Sequence, residues 1–385
     1  MAKPVIFDLI APRRAFLDAI DACLPATSQS GGMPLLATLQ VTALASGKIA
    51  VAGTDLLVSC VSTFVAHTRV PGSICVHAKL LRDIVAKMAE GDITVTCDGS
   101  SVSVAGPGKR KATGIAFMPG EDFPAVPQPE GEPVTVPAAA LAAVLKTVRP
   151  SMSTDDMRPH LACTFLGSIP GSFGAPVALR AVSTDGHRLT IAEARVDLSR
   201  PLPAALIPKA SLDRIKLPAE GDLTLWLKGK EGPLHVKKGD TLWSTKTVDA
   251  AYPSFDQVLP QSWDMTVTCD RALLADAVAA VSTVASDRTA GVRLRVADGR
   301  IEVSSENPDR GAMADELACE IDPSPGSNRT GVYIGFNGRY VLDTLCALSG
   351  EQVLLRFCGE LDPCRVEDAT APGFVAVWMP MRIGE

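Results

Sequence analysis

A chain of 385 residues with 46% hydrophobic and 21% charged content suits a globular protein of two or three domains rather than one. Its net charge of -6 argues against a simple basic nucleic-acid binder, and no run nears the roughly 18 apolar residues of a membrane span. The opening Met1 to Asp8 lacks the apolar core of an export signal, and the ten scattered cysteines form no CxxC pair. Buried thiols in a reducing cytoplasm are expected, with no metal and no cofactor.

In chain order, Phe7 to Leu9 reads as a strand, and Pro12 opens a helix over 13–24 with Phe16, Leu17 and Ile20 on one face. Arg13 and Arg14 fall in its first turn, where the helix dipole disfavours cations, so local helix stability does not explain them. Strands at Leu39–Val41, Lys48–Ala52 and Val58–Val65 precede a second helix over 79–88. Ile93–Cys97 and Val102–Val104 then alternate about Asp98-Gly99, a hairpin signal. The order recurs with helices over 138–148 and 209–216 and strands at 223–227, 234–236 and 242–247. It recurs again with a helix over 271–284, a hairpin about Asp298-Gly299, a turn at Ser305-Glu306-Asn307 and a helix over 337–348.

The offsets agree: Thr54 to Thr184 is 130 positions, Leu81 to Leu212 is 131 and Leu212 to Val341 is 129. This is three copies of one α+β unit of about 125 residues, each with two helices and six to eight short strands. The joints Phe123–Pro129 and Pro253–Pro260 are proline-rich and suit extended linkers, which sets domains at 1–128, 129–260 and 261–385.

One stretch breaks the repeat. The run Val177–Val182 reads as a buried strand that closes on Thr184-Asp185-Gly186 and leaves through His187, Arg188 and Leu189. Copies one and three turn at Thr54-Asp55 and Ser305-Glu306, and neither has a sequence counterpart of Gly186-His187-Arg188. An Asp with a His can serve acid–base chemistry, so a hydrolytic enzyme using Asp185, His187 and Arg188 is the competing reading. No nucleophile elbow or HExxH accompanies them, and Gly106-Pro107-Gly108-Lys109 lacks the rest of a phosphate loop.

Five motifs in order across the chain carry a resemblance. They are Glu121-Asp122-Phe123-Pro124, Thr184-Asp185-Gly186-His187-Arg188-Leu189, the joint Tyr252-Pro253 with Val258-Leu259-Pro260, Gly291-Val292-Arg293-Leu294, and Met379-Pro380-Met381-Arg382. Together they resemble the bacterial DNA polymerase III beta subunit family, the sliding clamps. The resemblance implies three tandem clamp-type domains, each with two helices packed on antiparallel sheets, forming a ring as a head-to-tail homodimer. Such a ring has no catalytic activity. It encircles double-stranded DNA without reading sequence and tethers the DNA polymerase III alpha subunit, the clamp loader, and other polymerases and repair proteins with short Gln/Leu/Phe motifs. A specialised clamp paralogue is the alternative within the family. Twelve helices at roughly 9 Å spacing make a circumference of about 110 Å and leave a hole of roughly 25 Å, enough for a duplex.

The helices carry cations that suit a basic bore in an acidic chain: Arg13, Arg14, Lys79, Arg82, Lys87, Lys146, Arg149, Lys209, Arg214, Lys216 and Arg271. Arg158 and His160 join this DNA-binding set, although Pro159 and His160 stand where the family has a tyrosine pair. The resemblance places a partner-peptide groove at Leu161, Thr184, Gly186, His187, Arg188, Leu189, Pro253, Gln257, Val258, Val377, Met379, Pro380, Met381 and Arg382. Gln257 stands where the family has arginine, and Gly384-Glu385 runs past Ile383. The dimer seam falls on Thr113 and Ile115 against Thr283 and Val284.

Overall fold

The computed structural model describes residues 4–28, 32–155, 157–169, 178–198, 200–230, 232–286 and 290–382. The Gly384-Glu385 extension, Gln29, Ser30 and Val177 lie outside them. Six helices are described: α1 Arg13–Cys23, α2 Ala78–Lys87, α3 Ala138–Val148, α4 Lys209–Leu212, α5 Arg271–Val281 and α6 Gly338–Ala347. Strands Phe7–Pro12, Val134–Pro137 and Met265–Asp270 each run directly into the first helix of a copy. Alternation makes the strands: Phe7, Leu9 and Ala11 are buried while their neighbours are not. Helical spacing makes α1, which buries Phe16, Ala19, Ile20 and Cys23.

The chain forms two compact units, 1–138 with 210–247, and 139–209 with 248–385. In the first, a nine-stranded antiparallel sheet joins copies one and two by pairing Val58–Val65 with Thr241–Thr245. In the second, a twelve-stranded sheet joins copies two and three by pairing Arg188–Arg195 with Phe374–Trp378. The middle copy therefore shares hydrogen-bonded sheet with both neighbours.

Three expectations are corrected. The second helix of copy two stops at Leu212 rather than 216. Pro218 disfavours helix in the residues before it, and Arg214 pairs with Asp55. α5 ends at Val281, and residues 282–284 continue as turns. Ser305-Glu306-Asn307 is strand, and the turn follows at Pro308–Arg310, closed by the Arg310 N–H on the Asn307 carbonyl at 3.2 Å. Asp298-Gly299 turns as expected, both residues having positive φ (52° and 75°), as a type I′ turn requires. Seven of the ten cysteines are buried and none is bridged. Burial pushes the Cys163 thiol up to about 11, which suits inert packing groups.

The paradox of a cation at a helix N-terminus resolves in the fold. Arg13 reaches across to the C-terminus of α2, where its Nε and Nη2 donate to the Val85 and Ala86 carbonyls at 3.1 and 2.8 Å. Glu90 holds the third nitrogen. Arg271, the first residue of α5, repeats this on α6, donating to the carbonyls of Gly350 (2.6 Å) and Leu345 (3.2 Å). Each arginine sits on the negative end of the neighbouring helix and satisfies carbonyls that have no helical partner. Arg13→Ala should cost about 2 kcal/mol, the worth of losing charged donors to buried carbonyls, read from urea denaturation. An unchanged midpoint and slope would remove this role.

Candidate functional site

The Thr184–Arg188 turn is built by local hydrogen bonds. The Thr184 hydroxyl donates to the Arg188 carbonyl (2.6 Å) and accepts from the Gly186 N–H (3.1 Å). Asp185 Oδ1 accepts from the N–H groups of His187 (2.9 Å) and Arg188 (3.0 Å). Gly186 has φ +91°. The turn Thr54–Val58 repeats every one of these bonds: Thr54 with Val58 and Leu56, and Asp55 with Leu57 and Val58. Leu56 accepts the left-handed conformation at φ 75°. Gly186-His187-Arg188 therefore has a backbone counterpart in copy one, and only its side chains are new.

Beside the turn lies a groove of about 140 Å³, lined by Leu161, Thr184, Gly186, Arg188, Leu189, Pro253, Phe255, Val258, Val377 and Met379. Nine expected residues thus come together. His187, Gln257, Pro380, Met381 and Arg382 do not line it. His187, Gln257 and Arg382 are exposed, and the Met381 N–H donates to the Gly335 carbonyl (2.9 Å). Phe255 was missed. Its signal was an aromatic residue two positions after Pro253 in a polar linker. It stacks edge-on against Phe165 at 5.5 Å, and Phe165 meets Tyr252 at 6.0 Å. The floor is the apolar cluster of Val182, Leu189, Ile191 and Val377. Tyr252 donates to the Val182 carbonyl (3.3 Å), and burial raises its phenol far above the ordinary range. The Met379 N–H donates to the His187 carbonyl (3.0 Å), which ties the last strand to the turn.

Arg188 lines the groove, but its guanidinium is already engaged within the chain. It is 8% exposed, with Nε on Asp185 (3.1 Å), Nη1 on Asp343 of α6 (2.7 Å) and Nη2 on the Pro150 carbonyl. Its guanidinium also lies 4.3 Å from the Tyr340 ring centre. It is a clasp between the turn and α6. Asp185 accepts from three donors, all within its own turn, so its carboxylate serves the turn, which weakens the hydrolytic reading. Among the described residues no group of three His, Cys, Asp or Glu side chains is set to hold a metal.

The basic residues divide. Arg13 belongs to the helix clamp and Arg214 pairs with Asp55, so both leave the DNA-binding set as first-choice phosphate ligands. Arg14 pairs with Asp18, Arg82 with Asp21, and Arg158 with Asp155. Lys79, Lys146 and Arg149 are exposed; Lys209 and His160 are half-buried. On the expected seam Thr113 and Thr283 are exposed, Val284 is half-buried and Ile115 is buried.

Models of the N-terminal, central and C-terminal domains of the DNA polymerase III beta subunit match residues 7–127, 135–254 and 256–382. The chain is 27% identical over 380 residues to the beta sliding clamp of Caulobacter vibrioides, covering 97% of this chain and 100% of that one. It is 29% identical over 359 residues to the Escherichia coli K12 beta sliding clamp, covering 92% and 94%. A Bartonella birtlesii sliding clamp bound to griselimycin superposes with a TM-score of 0.86 at 25% identity, over 98% of this chain and 100% of that one.

Arg188→Ala strands two carboxylates and a carbonyl, and should destabilise the second unit by about 3 kcal/mol. Calorimetry should show that transition moving down while the first unit's stays in place. Equal movement of both would argue against a local clasp.

Proposed function

The chain belongs to the bacterial DNA polymerase III beta subunit family, and from that premise we propose that it is a sliding clamp, a non-catalytic ring that holds partners on duplex DNA. Three clamp domains make up the chain, and we place their bounds at 1–128, 129–260 and 261–385, in the cytoplasm. Three domains are too few to close around a duplex, so the working form is a head-to-tail homodimer.

Strand edges support this. Copy one pairs its Val58–Val65 strand with the last strand of copy two, and copy two pairs Arg188–Arg195 with the last strand of copy three. The corresponding edge in copy three is Gly311–Ala318, which among the described residues pairs on one side only, with Arg300–Asn307. The strand of copy one that answers to those two, Lys111–Ile115, likewise pairs among the described residues only with Val102–Ala105. Two complementary open edges remain, and two chains close both. Thr113, Ile115, Thr283 and Val284 lie on or beside them.

The DNA contact is attraction to phosphate by Arg14, Lys79, Lys146 and Arg149, with Arg82, Arg158, His160 and Lys209 in support. Backbone contacts of this kind carry no sequence information and weaken with salt. A ring held this way slides.

The observation that carries the functional reading is the groove at the Thr184–Leu189 turn. It is apolar on Leu161, Leu189, Val258 and Val377, and Met379 adapts its shape. Its occupant is the short Gln/Leu/Phe motif of the polymerase alpha subunit, the clamp loader and other clamp partners. Burying one Leu or Phe anchor is worth roughly 1.5–3 kcal/mol. Two anchors, less the cost of ordering the peptide, give micromolar affinity of order.

Two experiments test this. Calorimetric titration of a Gln- and Leu-containing peptide should give micromolar binding, and deleting 379–385 should abolish it while the fold remains. Retained binding in the folded truncation would take Met379 out of the groove. Loaded protein should stay on circular DNA and run off after linearisation. Equal loss from both would refute topological linkage.

A further inference from the structure

The hollow beside the Thr54–Val58 turn is built as the groove at Met379 is, from different chemistry. The tie between turn and last strand repeats: the Lys246 N–H donates to the Leu57 carbonyl at 3.1 Å, as the Met379 N–H does to the His187 carbonyl. Register repeats as well. Ser59 pairs with Ser244 where Leu189 pairs with Val377, and Lys246 follows Ser244 by two positions as Met379 follows Val377. The hollow holds about 130 Å³ and shares no lining residue with the Met379 groove.

Three features set its preference. Its floor is made of hydroxyls that are already engaged: Ser244 Oγ lies 2.7 Å from His235 Nδ1, and Ser59 Oγ lies 2.9 Å from Thr54 Oγ1. A deep apolar anchor gains little against such a floor. Its lining also carries Lys246, which is exposed and in no ion pair among the described residues. The acids close to it in the fold are taken, Asp55 by Arg214 and Glu130 by Lys228. The third feature is Leu56, 47% exposed at φ 75°. Copy two closes the same turn on Gly186, so the turn itself does not call for a leucine, and a side chain makes that left-handed backbone costly. An exposed apolar residue held in a costly conformation points to a use outside the turn.

We propose that this hollow is a second docking site, for an extended peptide segment presenting a leucine and an aspartate or glutamate two positions apart. Residues so spaced share one face of an extended chain. The carboxylate meets Lys246, and the leucine lies on Leu56 with Pro127 and Pro233, which also line the hollow. The hydroxyl floor disfavours the Gln/Leu/Phe motif. The Met379 groove disfavours the acidic one, because its lining cation, Arg188, is committed to Asp185 and Asp343. One chain then carries two docking sites of different preference. This reading depends on neither the ring nor the occupant of the Met379 groove.

The test is a methyl NMR titration of the full chain, leucine-labelled, with the peptide acetyl-Ser-Leu-Ser-Asp-Ser-amide. The Leu56 and Leu57 methyls should shift with a dissociation constant of roughly 0.1–1 mM that rises with salt. Lys246→Met should weaken binding about fivefold, as should Asn for Asp in the peptide, and the two changes together should cost no more than either alone. Leu56→Gly suits the left-handed backbone, so its melting temperature should hold while binding, read at Leu57, falls about fivefold. Deleting 379–385 should leave this binding unchanged. Unmoved Leu56 and Leu57 methyls through the millimolar range overturn the second site. So does an Asn peptide bound as tightly, a Gln- and Leu-containing peptide that shifts the same methyls as strongly, or binding lost with 379–385 but kept in Lys246→Met. None of those results touches the Gln/Leu/Phe reading of the Met379 groove, whose own titration is scored on the 379–385 deletion.

Discussion

An antiparallel strand with a bare edge must find a partner, and that constraint organises this protein. Each copy ends one strand on an open side and supplies one last strand able to fill the same side of the copy before it. Val58–Val65 takes Thr241–Thr245 and Arg188–Arg195 takes Phe374–Trp378, in matching registers. A joint made of backbone hydrogen bonds is stiffer than a flexible linker, and stiffness is what a protein that must hold its shape around a duplex requires.

Arginine and lysine divide the labour. The planar fork of arginine serves where several fixed acceptors converge: Arg13 and Arg271 on helix ends, and Arg188 on a carbonyl and two carboxylates. Lys79 and Lys146 stay exposed, as mobile point charges committed to no one geometry. Several of the chain's arginines are thus spent on architecture.

The groove is a product of the junction. Wherever the turn meets the next copy's last strand, a hollow forms: beside Thr184–Arg188 with Val377 and Met379, and beside Thr54–Val58 with Ser244 and Thr245. What distinguishes the middle copy is chemistry laid on identical backbone. Gly186 lets a ligand approach where Leu56 fills space, and Leu189 and Val377 present apolar surface where Ser59 and Ser244 do not.

Periodicity of apolar residues determined the repeat, the first helix of each copy and the hairpins at Asp98-Gly99 and Asp298-Gly299, because those signals are local and independent of distant partners. Linear motifs likewise marked nine groove residues, since the turn and the last strand are each continuous segments. Tertiary structure decided the rest. Arg13 looked misplaced at a helix start until α2 appeared beneath it. Arg188 belongs to the groove motif in the sequence, but that its guanidinium is held by Asp343, 155 positions away, is seen only in the fold. The short α4 reflects a following proline and an arginine drawn toward Asp55, also far along the chain. A side chain's type and spacing follow from the sequence, but what neutralises its charge depends on which distant segments the sheet brings beside it.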